Sequence, residues 1–225
     1  MSFIRTFFNI ILDSLFPLSG TEKEVLSYSP EQACLKLSPA PPFTGLAVAL
    51  RQTFSIFAYK DEHVSKLIWH IKYKKSAKAV AIGGYALYRG IESKPELLNK
   101  PIVIIPIPIS PKRRRERGFN QIELLIDEIK CLDKTGLLTI ENHLLERVVH
   151  ADRQTLKSRT DRLQDSKGIF AVNEEILKKF HNSEFVNHIF IVIDDVITTG
   201  STMKEALKTL KSAGLKNIYG LSLAH

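Results

Sequence analysis

Cysteine is almost missing from this chain: 225 residues hold two, Cys34 and Cys131, and no Cys-x-x-Cys pair. A cysteine zinc site therefore cannot be assembled, and two distant lone thiols read as reduced core residues of a cytoplasmic protein. No Gly-Lys-Ser/Thr follows a strand-like run, which excludes a Walker-type phosphate loop. Internal repeats and long low-complexity tracts are absent. No apolar run is long enough to span a bilayer, so stable membrane insertion is not expected. The N-terminal "FFNIILDSLF" is interrupted by Asn9 and Asp13 and lacks a small-residue cleavage site, so it does not read as a signal peptide. Its apolar residues at 3, 4, 7, 8, 11, 12 and 15 follow helical spacing. That predicts a short amphipathic helix docked on the domain, with a peripheral membrane contact as the alternative.

An excess of acid is missing too. The chain carries 32 basic and 24 acidic residues, a formal charge of +8. Such a balance suits a polyanionic partner: a phosphorylated small molecule, nucleic acid or an anionic membrane. Apolar content of 44% and charged content of 25% are those of an ordinary globular chain.

Residues 17–45 are rich in Pro, Ser and Gly and predict an irregular segment. "FSIFAY" alternates like a strand. "DEHVSKLIWHIKY" predicts a helix capped by Asp61, with Val64, Leu67, Ile68 and Ile71 on one face. Residues 76–92 predict a second helix with small residues for close packing. "PIVIIPIPIS" (101–110) is β-branched without alternation, the mark of a strand buried on both faces. A helix is expected over 118–132, strands over 141–150, 168–172 and 187–195, a helix over 201–214 ended by Gly214, and a last strand over 216–225. Alternating buried strands and helices imply an α/β fold with a mostly parallel twisted sheet flanked by helices. The division expected is an N-terminal extension over 1–53 and an α/β domain over 54–225.

The most informative stretch is "IFIVIDDVITTGST" (189–202). A buried strand ends in two acids, Asp194 and Asp195, and small hydroxyl residues follow. Ligands of open α/β sheets bind at the carboxyl ends of strands. Gly200 permits a tight turn, while Thr198, Thr199, Ser201 and Thr202 bring hydroxyls and free N–H groups to a helix start, a cradle for phosphate. Carboxylates repel phosphate but accept hydrogen bonds from vicinal sugar hydroxyls. The pattern reads as a site for ribose 5-phosphate, with a divalent cation near by.

These residues resemble a known motif. "VIDDVITTGST" is similar to the phosphoribosyl pyrophosphate (PRPP) motif of type I phosphoribosyltransferases. "IPIPISPKRRRERGFNQ" (105–121) and "RVVHADRQTLKSRTDRLQDSKGIFAV" (147–172) resemble the ComF family of competence-associated, phosphoribosyltransferase-like proteins. The likeness covers roughly residues 54–225, and "LDSLFP" fits the family as well. A four-cysteine zinc finger usually follows that stretch in the family. Here its cysteines are missing, so no zinc is expected.

The resemblance implies that the stretch holding Lys112, Arg113, Arg114, Arg115 and Arg117 is a loop facing pyrophosphate. Arg117, with the backbone near Gly118, is expected inside, and Arg113, Arg114 and Arg115 outside, solvated or on nucleic-acid phosphates. Residues 147–167 carry six basic and three acidic residues and predict a mobile loop. By the resemblance it closes over PRPP, with Arg153, Gln154 and Arg159 the candidates for stabilising departing pyrophosphate. "WHIKYKKSAK" (69–78) interleaves aromatics and lysines. Its expected role is core packing by Ile68, Trp69 and Ile71, with a single-stranded nucleic-acid platform as the alternative. His225 has no evident role.

Two functions follow. One is a PRPP-binding, Mg2+-dependent ComF-like protein that handles single-stranded DNA in natural transformation, in contact with a competence helicase and uptake machinery. The other is an active phosphoribosyltransferase, with Asp194, Asp195, Arg153 and Arg159 in the catalytic site and an unidentified acceptor.

Overall fold

The computed structural model describes residues 17–43, 52–97, 100–148, 168–180 and 187–225. The expected N-terminal helix and the candidates Arg153, Gln154 and Arg159 lie outside the described residues.

Seven strands are described: β1 (Thr53–Phe57), β2 (Ile102–Pro106), β3 (Leu138–Ile140), β4 (Leu145–Arg147), β5 (Phe170–Val172), β6 (Ile189–Val196) and β7 (Ile218–Ala224). Five form one sheet in the order β1-β7-β6-β2-β3, and all of its pairings are parallel. β4 and β5 form a separate antiparallel pair.

The absence of alternation in the central strands has a direct cause. Ile102 and Ile104 of β2 and Ile189, Ile191 and Ile193 of β6 enter one apolar cluster. Their neighbours Val103, Ile105, Phe190 and Val192 enter a second. Both faces are covered, so both registers must be apolar.

The first cluster is covered by helices. They are α1 (Gly20–Ser27), α2 (Pro30–Lys36), α3 (Glu62–Trp69), α4 (Ala77–Glu92) and α6 (Gln121–Leu132), with the short α5 (Pro111–Arg117) lying between α4 and α6 in sequence. Val25, Leu67, Ile82 and Leu125 are fully buried there. α4 meets α6 closely: a β-carbon on Gly84 would collide with the Glu128 side chain. The second cluster is covered by α7 (Glu174–Lys179) and α8 (Ser201–Ser212), through Leu177, Met203, Ala206, Leu207 and Leu210. None of these helices is long and apolar enough to cross a membrane.

The α/β architecture with a mostly parallel, helix-flanked sheet agrees with the type I phosphoribosyltransferase-like class. Several local expectations do not hold. Residues 17–43 are not irregular, because α1 and α2 are each started by a capping box, Ser19 with Glu22 and Ser29 with Gln32. The strand expected over 141–150 is β4, outside the main sheet, and the edge strand is β3 instead. The basic stretch is a helix, not a loop, with Ser110 as N-cap and Pro111 at its first turn. Cys131 is exposed and Cys34 only partly buried, so neither is a fully enclosed core thiol. Trp69 is 39% exposed rather than packed inside. His225 does have a structural contact, its Nδ1 lying 3.1 Å from the Ile197 carbonyl.

Candidate functional site

β6 outlasts its apolar run by the two acids, and strand alternation sends them to opposite layers. Asp194 continues the face of Phe190 and Val192. Asp195 continues that of Ile191 and Ile193.

Asp195 is 6% exposed and is held from two sides. Gln121 Nε2 donates to its Oδ2 at 2.6 Å. Lys72 Nζ lies 3.2 Å from its Oδ1. Gln121 is the first residue of α6, set in place by Asn120, whose Oδ1 accepts from the Ile122 N–H at 3.1 Å. Lys72 sits on a π turn, His70–Lys74, that extends α3 and ends where Lys75 takes φ 51°. The two carboxylates thus stand in different surroundings. Asp195 is bound within the protein, and Asp194 is the freer acid.

Asp194 Oδ1 accepts from the Asp195 N–H at 2.8 Å. Burial, and then the neighbouring Asp195 charge, push its carboxyl up to about 7. That N–H, Lys72 and Arg113 work against the rise without cancelling it.

The acids border a cavity of about 340 Å³. Lys72, Arg113 and Arg147 also line it, as do Gln121, Tyr59 and Ser110. Arg147 ends β4, where burial and the nearby Arg113 lower its guanidinium's affinity for a proton while Asp194 restores part of it. Thr198 from the loop and Thr202 from the first turn of α8 reach the cavity. Gly200 makes the turn with φ 74° and caps α8 without a side-chain hydrogen bond. The first N–H groups of a helix have no intrahelical partners, and its dipole favours an anion. Thr199 and Ser201 are exposed, their hydroxyls 3.0 Å apart.

The basic helix is arranged differently from expectation. Arg113, expected outside, lines the cavity. Arg117, expected inside, does not line it, and its guanidinium lies over the Tyr73 ring, 5.2 Å from the centroid. Arg114 pairs with Glu123 at 3.0 Å. Arg115 is exposed, and Gly118 ends the helix with φ 75°.

Lys72 and Gln121 are cavity residues outside the sequence-based site expectations, whereas Arg147 opens the 147–167 stretch expected to close over PRPP. Lys72 was hidden in a lysine-rich stretch. Gln121 carried a signal, since it closes the "GFNQ" that follows the basic run.

Among the described residues no three His, Cys, Asp or Glu side chains cluster as a metal cage. A hydrated magnesium ion carried on ligand phosphates would need no such cage.

No family model matches the chain. It is similar to Competence protein F of Haemophilus influenzae, 29% identical over 214 residues that cover 93% of this chain and 85% of that protein. It is similar to Competence protein ComFC of Bacillus subtilis, 32% identical over 168 residues, 75% of this chain and 61% of that protein. ComFC of Streptococcus pneumoniae is 30% identical over 124 residues, 55% of this chain and 48% of that protein. The chain thus spans less than two thirds of each of the two ComFC proteins.

Proposed function

The chain belongs to the ComF family, and on that premise we propose that it acts in competence as a cytoplasmic protein that binds PRPP with Mg2+ and handles incoming single-stranded DNA. The observation that carries the PRPP reading is the union, in one cavity, of Asp194, a hydroxyl-rich helix start and three cations, Lys72, Arg113 and Arg147. A pentose carrying a phosphate at one end and a diphosphate at the other has the matching chemistry. Its 5-phosphate fits the Thr198–Thr202 turn, its hydroxyls donate to Asp194, and its diphosphate meets the arginines. Asp195 contributes through position, holding Lys72 and Gln121 at the cavity wall. Magnesium supplies charge neutralisation on the diphosphate.

The names of the relatives support the competence role, and the +8 charge supports the DNA reading. In this reading the exposed Arg115 and its helix neighbours meet phosphate, and a competence helicase and other uptake machinery are the protein partners. A transferase reading takes the same cavity and adds an acceptor. Arg113 and Arg147 favour it, because two guanidiniums beside the cavity are what a departing pyrophosphate needs.

Calorimetric titration with PRPP in magnesium tests the first reading. Saturable binding with one ligand per chain is expected, weaker for ribose 5-phosphate, which lacks the diphosphate. No heat and no thermal stabilisation by PRPP would overturn it. For DNA, the affinity of a labelled single strand should fall steeply with salt and fall again in Arg113→Ala/Arg114→Ala/Arg115→Ala. A flat salt response would remove phosphate contact from the account.

A further inference from the structure

Trp69 is the single tryptophan of the chain, and it stands 39% exposed, with Tyr73 beside it at 57%. They lie on the last turn of α3 and on the π turn. Their ring centroids are 5.9 Å apart at an interplanar angle of 45°. Behind them His70, 3% exposed, meets Trp69 edge-on at 5.2 Å and steadies the indole. The aliphatic neighbours Ile68 and Ile71 are each 1% exposed. The patch is therefore aromatic without being greasy.

Each ring of this surface carries a cation. Lys74 Nζ lies 5.7 Å from the Trp69 centroid, and Arg117 Cζ lies 5.2 Å from that of Tyr73. Lys75 Nζ lies 4.3 Å from the centroid of Phe119. No acidic residue occurs between Trp69 and Lys78. A membrane surface would call for exposed aliphatics, and these are buried. Flat rings spaced among cations match an unpaired polynucleotide, whose bases offer π faces to the rings and whose phosphates meet the positive charges.

We propose that Trp69 and Tyr73 form a stacking platform for successive bases of single-stranded DNA, with Lys74, Lys75 and Arg117 on the adjoining phosphates. This rests on the DNA-handling reading above and assigns it a place. The cations turn from the rings to the phosphates as bases arrive. The platform shares its turn with Lys72, which faces the PRPP cavity. One short segment therefore borders both the small ligand and the strand.

The lone tryptophan makes the test direct. Full-length protein is titrated with an oligo(dT) of about 15 nucleotides, following tryptophan emission and the anisotropy of labelled oligonucleotide together. Saturable quenching along the anisotropy curve is expected, and none with a duplex of the same length. Trp69→Ala/Tyr73→Ala should bind about tenfold more weakly or worse, while Trp69→Phe keeps most of the affinity. Oligonucleotide binding with unchanged tryptophan emission would overturn the platform and leave the DNA-handling reading standing. Absence of oligonucleotide binding even at low salt would overturn both.

Discussion

Gln121 and Asp195, 74 residues apart, meet through a 2.6 Å hydrogen bond in which the amide donates to a buried carboxylate. The bond ties the start of α6 to the end of β6 and, with Lys72 on the other oxygen, fixes one of the two acids.

Replacing Gln121 by leucine would leave the Asp195 carboxylate short of a donor inside the protein. The expected cost is about 1–3 kcal/mol, the penalty of an unsatisfied buried polar group. Urea denaturation at neutral pH checks it. An unchanged midpoint would mean that water replaces the amide.

Asp194 makes stability depend on pH in an unusual direction for an acid. Its carboxyl is raised from 3.8 to about 7 in the folded chain. Between those values the folded state holds a proton that the unfolded state has released, so stability falls as pH rises through this window. Asp194→Asn should remove that fall and leave the protein more stable than the parent at pH 8. Urea midpoints of the two proteins across pH 5–8 decide it, and parallel curves would contradict the shift.

Gly200 turns the chain into α8 with φ 74°, a conformation that a β-carbon disfavours. Gly200→Ala should destabilise the fold by about 1–2 kcal/mol and weaken PRPP more than that loss alone explains. Thermal melting and calorimetry on the same preparation separate the two effects.

Ser29 heads α2, accepting from the Gln32 N–H at 3.2 Å while Gln32 Oε1 accepts from the Ser29 N–H at 2.9 Å. Ser29→Ala should cost about 1 kcal/mol. Val25, Ala33 and Leu37 belong to the main core cluster, so the loss should appear in the midpoint of global unfolding. A separate early transition would show instead that α1 and α2 melt on their own.

The legible and illegible parts divide along physical lines. β2 and β6 were readable because a run such as Ile189–Ile193 has no stable place except between two covered faces. Acids at the end of such a run must sit at the carboxyl end of the sheet, which makes Asp194 and Asp195 conspicuous. The turn at Gly200 was readable because one local residue type determines it. The partners of the acids were not, since Lys72, Gln121 and Arg147 converge from three distant elements and none shows that convergence in its own neighbourhood. β3 was missed because Leu138–Ile140 is too short to show a pattern. α1 and α2 were missed for a different reason. Ser, Pro and Gly suggest breakers, although Ser19-x-x-Glu22 and Ser29-x-x-Gln32 are helix starts. Trp69 adjoins Ile68 in sequence and so suggests a core residue, but the buried face of α3 runs through Val64, Leu67 and Ile68 and leaves the indole at its border.

Crystals grown with PRPP and magnesium provide the most direct measurement. The account predicts ligand density in the cavity between β6 and α5, the 5-phosphate on the Thr198–Thr202 turn, a ribose hydroxyl on Asp194, and the diphosphate toward Arg113 and Arg147. An empty cavity, or PRPP bound at another surface while Asp194 stays turned to protein partners, would contradict it.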